Sequence, residues 1–512
     1  MGLCTLAGHH HHYYYGFGLF LAVLVHVLVL AKLRAGKTKP GPRLPPGPWQ
    51  LPVIGSLHHL LRGGLPHRTM RDLSLRYGPL MLLRVGEHAA VVVSSAEAAR
   101  EVLREHDAAF EQRPRSPGID ELYRDGEGVI FAPYGGHWRL LRRILMTELL
   151  SARRVASFRR IREEEAARLV ASLASAGGLA DVGERLAEFV ADSAVRAIYG
   201  DRLPDRAAFL RMIMQGVEPS SLFDLRDLFP SSRLARMLPR SGRAERHRRE
   251  MFRLMDDILR QHQERAAGAG DDGAEEDMID VLLRIQKEGD MRVSLTHGVI
   301  RNVLSDVFGA AVDTASTTLQ WAMAELMANP WAMEKAQIEI RQVMAEHPRV
   351  QEVALSNLNY IKAVIKETLR LHPPGTLLPR VSLDDSKILG YDIPKGTIVL
   401  INVWAISRDP KYWENPDKFM PERFDGDCAR DYKGFDFEFI PFGAGRRMCP
   451  GTSFANANIE IALASLLYHF DWQLPIGVTP DKLDMTEVFG VTVRRKAELV
   501  LRPILHTPPA AE

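Results

Sequence analysis

The chain has 512 residues, 46% of them hydrophobic and 25% charged, which is enough for one large core with an ordinary globular surface. Its 66 basic and 64 acidic side chains leave a net charge of +2, so the overall charge gives no indication of nucleic-acid binding. The cysteines are too few and too widely spaced for a disulfide framework or a CxxC zinc site, and they fit a reducing, cytosol-facing domain: Cys4, Cys428 and Cys449.

The amino end of the chain predicts a membrane anchor. Residues 13–31 carry no Asp, Glu, Lys or Arg, and an apolar run of that length is about what spans a bilayer. Basic residues follow the run and none precedes it, so the positive-inside rule leaves a short tail, 1–12, in the lumen and the rest in the cytosol. A cleaved signal peptide is the alternative, but it needs a basic flank before the run and a small-residue cleavage site after it. Neither is evident in this sequence.

Residues 32–52 form a basic segment that contains the proline-rich stretch PPGPW at 45–49. Proline fixes the backbone and removes hydrogen-bond donors, so this segment predicts a stiff, extended hinge. The rest of the chain, 53–512, shows no internal repeat and is predicted to be one domain.

The elements predicted within this domain are mainly helical, with a small β region. Apolar runs around a Gly-Glu turn predict a strand pair over 80–93. The apolar periodicity of 296–328, stopped by an Asn-Pro pair, predicts one long helix. The sequence also predicts a helical stretch over 149–173, a polar loop over 267–277 and a β-rich stretch over 398–406. A final helix is predicted over 456–470, followed by short strands near Val491 and Leu499.

The decapeptide FGAGRRMCPG, from Phe442 to Gly451, predicts a loop that aims one thiolate at a metal from a glycine-shaped turn. A lone sulfur ligand beside two arginines suits an iron porphyrin, with cations for its propionates. These residues fit FxxGxRxCxG, and the chain resembles the cytochrome P450 family. The resemblance implies that Cys449 is the axial ligand of haem b and that Arg447 pairs with a propionate. It also implies that Gly445 and Gly451 provide room and turn geometry. The alternative is a structural cysteine buried in a Gly/Pro turn.

A charged cluster is predicted from Glu367, Arg370 and Arg423. Positions 367 and 370 share one helix face and match the family's ExxR pattern, and Arg423 lies in a PERF motif. The resemblance implies that the three lock the core around the cysteine loop and perform no chemistry. A buried cluster of this kind needs all its partners, because removing one leaves a charge unpaired. The alternative is an exposed helical ion pair of little weight.

Three further residues are implied as haem partners. Trp138 and Arg142 fit the family's WRxxR pattern one helical turn apart, and Arg380 occupies the place where the family supplies another propionate partner. Guanidinium groups bind carboxylates through two parallel hydrogen bonds, which suits this role. The alternative is a solvated basic face, since other arginines lie nearby. Both interpretations can hold together, because in the family the haem face near the cysteine docks an acidic, flavin-bearing reductase.

The long helix carries GAAVDTA at 309–315, which resembles the family's oxygen-activation segment. The resemblance implies that Thr314 hydrogen-bonds oxygen and that Asp313 feeds protons toward it through water. The alternative is a threonine bonded to its own helix and an aspartate paired elsewhere. Two departures matter. Ala311 replaces the usual glycine, which predicts a narrower oxygen groove, and Ala315 replaces a second hydroxyl residue.

An apolar substrate pocket is predicted by position, from matches to the family's substrate-contacting zones. The candidate wall residues are Phe131, Ala310, Leu377 and Val491, and the region around Phe223 is a further candidate zone. The alternative for each is ordinary core packing. The stretch 374–380 is shorter than in related plant enzymes, so no particular specificity carries over from them.

Taken whole, the sequence most resembles plant microsomal members of the family. This implies the cytochrome P450 fold, mainly α with a small β region, behind a single N-terminal transmembrane anchor in the endoplasmic reticulum membrane. It also implies a monooxygenase that uses O2 and electrons from NADPH through NADPH-cytochrome P450 reductase. The implied substrate is a small lipophilic specialised metabolite, with a terpenoid favoured.

Two alternatives belong to other functional classes. A haem-thiolate isomerase or dehydratase would need neither reductase nor NADPH. Thr314 and the intact cysteine loop argue against it, whereas Ala311 is compatible with it. The other alternative is a non-catalytic haem-binding membrane scaffold. An inactive enzyme is expected to have lost catalytic motifs, and this sequence has lost none of them. Cys428 lies in an acidic stretch and is expected to be exposed and inert toward iron.

Overall fold

The computed structural model describes residues 41–62, 64–116, 119–120, 123–124, 126–200, 225–237, 242–268, 276–289, 295–426 and 430–506. The predicted tail 1–12, the predicted anchor 13–31 and the start of the hinge lie outside these residues, as do Cys428 and Phe223. Among the helices that are described, none is both long enough and apolar enough to cross a membrane. The chain divides into two units, Met1–Leu44 and Pro45–Glu512, and all the described helices and strands belong to the second.

Helices dominate the described domain, as predicted. In chain order they are α1 Leu57–Arg62, α2 Pro66–Tyr77, α3 Ala96–Arg100, α4 Gly136–Ile144, α5 Ala152–Ser157, α6 Arg159–Ala174, α7 Val182–Tyr199, α8 Leu225–Leu228, α9 Arg233–Met237, α10 Gly242–Gly268, α11 Met278–Glu288, α12 His297–Ala328, α13 Pro330–Val343, α14 Asn359–Leu371, α15 Val403–Ile406 and α16 Thr452–His469. Two of them, α3 and α4, continue directly into wider helical turns at Glu101–Glu105 and Leu145–Leu149.

The β region is small and lies at the edge of the helical body. Its strands are β1 Leu80–Val85, β2 His88–Val93, β3 Ala180–Asp181, β4 Leu377–Val381, β5 Ser386–Ile388, β6 Tyr391–Ile393, β7 Ile398–Asn402, β8 Phe470–Gln473, β9 Glu487–Val488, β10 Arg494–Arg495 and β11 Val500–Leu505. The main sheet has the order β1-β2-β7-β4, with β2 and β7 parallel and the other pairs antiparallel. A second sheet has the order β3-β11-β8, and β5-β6 and β9-β10 are separate hairpins.

The central element is α12, and its predicted bounds are confirmed. The Thr296 side chain accepts from the Val299 N–H at the start, and Asn329 caps the end before Pro330 begins α13. Most of α12 is buried among α7, α14 and α16, yet Gly309 and Ala310 in its middle are exposed. Exposure in the middle of an otherwise buried helix marks the part that faces the candidate site.

Several predicted boundaries differ from the structure. The β-rich stretch 398–406 is a strand only to Asn402, because that side chain accepts from the Ala405 N–H and begins α15. The final helix begins earlier than predicted, at Thr452. The strand predicted near Val491 is instead the turn between β9 and β10. Of the predicted loop 267–277, residues 269–275 lie outside the described part of the chain.

The proline-rich end of the predicted hinge belongs to the domain rather than standing free of it. It has no regular secondary structure, and the Pro46 carbonyl accepts from the Leu82 N–H at 2.8 Å. A side chain at Gly47 would fall on the Leu82 carbonyl oxygen, so only glycine permits this close approach. The stretch from Pro45 onward is therefore held against β1.

Candidate functional site

The loop that carries Cys449 is shaped by backbone geometry that two glycines permit. Gly443 and Gly445 have φ values of +72° and +70°, a region that side chains disfavour. A Cβ at Gly445 would also fall on the Leu103 carbonyl oxygen. The Cys449 N–H donates to the Phe442 carbonyl at 2.9 Å and closes the loop. The predicted turn geometry is confirmed at Gly445, and Gly443 adds a second glycine-dependent position that was not named.

Gly451 contributes differently from the prediction. Its φ is −91°, and an added Cβ would meet only the Cys449 Sγ at 3.8 Å, an ordinary packing distance. The prediction that Gly451 supplies turn geometry is therefore wrong. Its backbone N–H instead donates to the Cys449 Sγ at 3.3 Å. A donor on sulfur favours the thiolate over the thiol.

The Cys449 sulfur faces an internal space lined by protein. The residue is exposed to solvent, although surrounding protein atoms desolvate it and raise the pKa of its thiol. The Gly451 N–H and the Arg142 and Arg113 guanidinium groups oppose this effect. A thiol in such a place ionises most readily when a cation binds it, and this is the behaviour of a metal ligand.

Four arginines surround this space without carboxylate partners. Arg142, Arg380 and Arg447 were predicted, and Arg113 joins them. None of the four forms an ion pair within the described residues. Burial lowers the pKa of Arg380 to about 9 and that of Arg447 to about 10, and the other arginines add to both effects. Burial also lowers the pKa of Arg113 and of Arg142.

Buried cations without anionic partners are unfavourable unless a ligand supplies the negative charge. Carboxylates are the natural ligands, since a guanidinium binds them through two parallel hydrogen bonds. A thiolate donor beside four such arginines therefore fits haem, whose iron takes the sulfur and whose propionates take the cations. The residues present can hold this cofactor.

Trp138 takes a different position from the one predicted. Its indole N–H donates to the Val129 carbonyl at 3.1 Å, so it is not directed at a propionate. Its ring instead lies 4.3 Å from the Arg447 guanidinium carbon. Arg447 also donates to the carbonyls of Glu111 and Ala132, at 2.8 and 2.7 Å. Trp138 therefore holds Arg447 in place.

The two arginines of the cysteine loop have separate surroundings. Arg446 is partly exposed and pairs with Glu111 at 2.5 Å, and its backbone N–H donates to Asp107. Only Arg447 turns inward. Arg113 was not singled out from the sequence. Arg113 lies in a non-helical segment, and such a segment has no periodicity that would indicate which side chains face the site.

The cluster of Glu367, Arg370 and Arg423 is confirmed as geometry. Arg370 donates to both Glu367 oxygens at 2.7 and 2.8 Å, and Arg423 donates to Glu367 at 3.2 Å. Glu367 and Arg370 are fully buried. The remaining Arg370 donors reach the carbonyls of Ser407, Pro416 and Lys418. The exposed-pair alternative is excluded, and the cluster ties α14 to the segment before the cysteine loop.

The two candidate oxygen-activating residues are bonded elsewhere in this structure. The Thr314 hydroxyl donates to the Ala310 carbonyl at 2.7 Å within α12. Asp313 accepts from the Thr492 hydroxyl at 2.6 Å, and its other oxygen lies 3.8 Å from Arg494. These are the contacts of the local alternative. The Thr314 lone pairs stay available to accept a hydrogen bond beside the exposed Ala310.

The two alanine departures have different surroundings on α12. Ala311 is half-buried and packs against the apolar cluster of α4, α7 and α11. Ala315 is buried against α7 and α16, where a hydroxyl would need a partner. Gly309, by contrast, has open space at its Cβ position.

The predicted wall residues come from four separate segments. Phe131 is half-buried and packs on Tyr123 with ring centroids 6.0 Å apart. Leu377 begins β4, in register with Asn402 of β7, while Ala310 is exposed on α12. Val491 is 74% exposed, one residue before the Thr492 that holds Asp313. The hydrogen bond from Thr492 to Asp313 therefore holds the turn that carries Val491 against α12.

Comparison with known proteins identifies relatives of this chain in sequence and in structure. The family model "Cytochrome P450" matches residues 45–501. A desmethyl-deoxy-podophyllotoxin synthase of Sinopodophyllum hexandrum is 45% identical, over 96% of this chain and 97% of its own length. A dolabradiene monooxygenase of Zea mays is 45% identical over 96% and 98%, and an ent-isokaurene C2/C3-hydroxylase of Oryza sativa subsp. japonica is 47% identical over 95% and 97%. A zebrafish cytochrome P450 structure with abiraterone matches with a TM-score of 0.72 and 28% identity, over 86% of this chain and 99% of that one.

Proposed function

This chain belongs to the cytochrome P450 family, as a plant-type monooxygenase that binds haem b through a cysteine thiolate, and we propose that its substrate is a small terpenoid. The observation that carries the site assignment is Cys449 beside four arginines, two buried and two partly buried, that have no carboxylate partner in the described chain. When bound, haem supplies the activation of dioxygen needed to oxidise an unactivated C–H bond.

The chain's own residues then have distinct roles in the proposal. The Cys449 Sγ ligates the cofactor and the Gly451 N–H stabilises its negative charge. Arg113, Arg142 and Arg380 would bind the propionates. Arg447, whose guanidinium packs on the Trp138 ring, would also bind them. The buried cluster around Glu367 keeps this frame rigid.

A terpenoid substrate is supported by the relatives and by the candidate walls. Two relatives are named for dolabradiene and ent-isokaurene, which are terpenoids. The candidate wall side chains are apolar, which suits a lipophilic molecule. Turnover in microsomes with NADPH and a reductase, over a panel of terpenoid, phenolic and amino-acid-derived compounds, tests this. Turnover of only the last two classes would contradict it, and product formed without NADPH would favour a haem-thiolate isomerase.

We expect Thr314→Ala to lower product per NADPH consumed by at least about tenfold and to raise peroxide release correspondingly. The Thr314 hydroxyl lies beside the exposed Ala310 and can accept a hydrogen bond while donating to its helix. Its loss removes a group that holds a proton near the reacting oxygen. Thr314→Ser is the matched control and should keep most of the coupling. An unchanged ratio of product to NADPH in the alanine variant would remove Thr314 from the relay.

The redox partner in this proposal is NADPH-cytochrome P450 reductase, docked on the basic surface beside the cysteine loop. Arg139 on α4 and Arg446 both lie over the Tyr134 ring, at 5.7 and 5.5 Å. Both side chains are exposed. A cationic patch of this kind steers an acidic partner toward the haem face.

Arg139→Glu is expected to raise the reductase concentration needed for half-maximal turnover by about three- to tenfold at low salt. The effect should shrink as ionic strength rises, because screening weakens steering between exposed charges. Arg253→Glu, an equal charge change on α10, is the control and should have little effect. Equal responses of the two variants would argue against this docking surface.

We place the protein in the endoplasmic reticulum membrane as a single-pass chain. Residues 13–31 span the lipid, 1–12 lie in the lumen, 32–44 form the hinge, and the haem domain that begins at Pro45 is cytosolic. The charge asymmetry around the apolar run supports this orientation. Protease added to sealed microsomes should spare an epitope at the amino terminus, and its digestion would contradict the orientation.

A further inference from the structure

Two candidate walls of the substrate pocket are joined to each other directly. The hairpin β9–β10 carries Val491 and Thr492 in its turn, and Thr492 contacts Asp313 of α12. The Val493 N–H donates to the Pro374 carbonyl at 3.0 Å, in the stretch that leads into β4 and Leu377. Whatever fixes this junction fixes the position of both walls.

His372, at the end of α14, lies beside this junction and is buried. Its imidazole stacks on the Trp321 indole with centroids 3.9 Å apart and an angle of 3° between the planes. Its Nε2 lies 2.7 Å from an oxygen of Glu325, one helical turn after Trp321 on α12. The Trp321 indole N–H donates to the Val493 carbonyl at 3.1 Å. His372 thus packs on the residue that holds the hairpin.

Glu487 supplies a second carboxylate on the opposite side of the imidazole. One of its oxygens lies 4.0 Å from the His372 Nδ1, and the other accepts from Arg68 Nε at 2.8 Å. Burial raises the pKa of Glu487, but contacts from His67 and Arg68 outweigh burial and lower it to about 2. The base of the hairpin therefore carries a carboxylate that is paired with Arg68 and lies near His372.

A histidine stacked on tryptophan in a core is often only a packed aromatic residue. This one lies between Glu325 of α12, 2.7 Å from its Nε2, and Glu487 of β9, 4.0 Å from its Nδ1. Burial favours its neutral form, and the neutral ring can donate its Nε2 proton to Glu325. A phenylalanine would fill the same volume without that bond. The hydrogen bond to Glu325, rather than packing alone, therefore explains why a polar ring occupies this position.

We propose that His372 is a positioning residue for the substrate pocket, which aligns the 374–380 stretch and the β9–β10 turn over the haem through Trp321 and Glu325. The inference rests on the proposed function, since it assigns these two stretches as pocket walls. A residue behind the pocket walls would then control which molecules fit between them.

The test compares haem-loaded full-length protein with two variants and a control. His372→Phe keeps the stacking and removes the bond to Glu325, and Glu325→Gln keeps an acceptor and removes its charge. His347→Phe is the control, on the loop after α13, where the His347 carbonyl accepts from Tyr468. Two readouts apply: hydrogen exchange of the peptide that spans β9–β10, and dissociation constants of imidazole and 4-phenylimidazole measured by haem difference spectra.

We expect His372→Phe to speed exchange in the β9–β10 peptide while α16 stays protected. The ratio of the two dissociation constants should change by at least about threefold, because the bulky probe meets the walls and the small one does not. Glu325→Gln should change both in the same direction by less, and His347→Phe should change neither. Unchanged exchange and ratio in His372→Phe would overturn the proposal. If that variant does not load haem, the same null result in Glu325→Gln would overturn it.

These outcomes are separate from a failure of the proposed function. The reduced, carbonyl-bound spectrum of the unaltered protein tests the thiolate-ligated haem independently of either variant. A normal spectrum with unchanged readouts in the variants would overturn the role of His372 alone. An unaltered protein without that spectrum would overturn the proposed function first.

Discussion

Glu367→Gln is expected to destabilise the folded protein by about 3–5 kcal/mol and to prevent stable haem loading. The substitution leaves Arg370 fully buried without its carboxylate and removes the partner of Arg423. It also weakens the acceptor of the Met420 N–H, which lies in the segment before the cysteine loop. Urea unfolding followed by far-ultraviolet circular dichroism, together with haem absorbance of the purified protein, measures both effects.

Glu422→Gln is the matched control for this prediction. Glu422 lies one residue from Arg423 and pairs with Lys335 at 2.9 Å, but both side chains are well exposed. Exposed pairs contribute about 0–1 kcal/mol, so this variant should unfold close to the unaltered protein and load haem normally. A Glu367 variant as stable as the Glu422 variant would show that the buried cluster does not support the core.

Cys449→Ser is expected to remove monooxygenase activity by at least about three orders of magnitude, which corresponds to about 4 kcal/mol of activation free energy. The hydroxyl nearly preserves the size of the side chain but does not supply the electron-donating sulfur ligand. Folding should persist, because the side chain faces an internal space and the loop is held by backbone bonds. Met448→Leu is the control, since it changes a neighbouring sulfur and leaves the ligand. Thiolate-type spectra in the serine variant would assign the ligand to another residue.

Features that depend on local spacing were predictable from the sequence. The long helix α12 follows from apolar periodicity between a threonine cap and an Asn-Pro stop. Glu367 and Arg370 meet because they lie three residues apart on one helix. The turn of the cysteine loop was predicted correctly at Gly445, whose backbone conformation a side chain disfavours, whereas Gly443 was not named.

Features that depend on contacts between distant segments were not predictable. Asp313 bonds to Thr492, 179 residues away in the chain, and no local pattern indicates that pair. Trp138 was placed correctly on its helix, but the direction of its N–H depends on the Val129 carbonyl in a separate loop. Ala311 was interpreted from a motif departure and Gly451 from a motif match, whereas packing and backbone angles decide what each residue contributes.

The central claim is that the Cys449 thiolate ligates haem iron, and the reduced, carbonyl-bound absorption spectrum of the purified full-length protein tests it most directly. We expect the red-shifted Soret band of a thiolate-ligated complex, and its loss in Cys449→Ser. A colourless protein, or a spectrum of imidazole-ligated haem in the unaltered chain, would contradict the account.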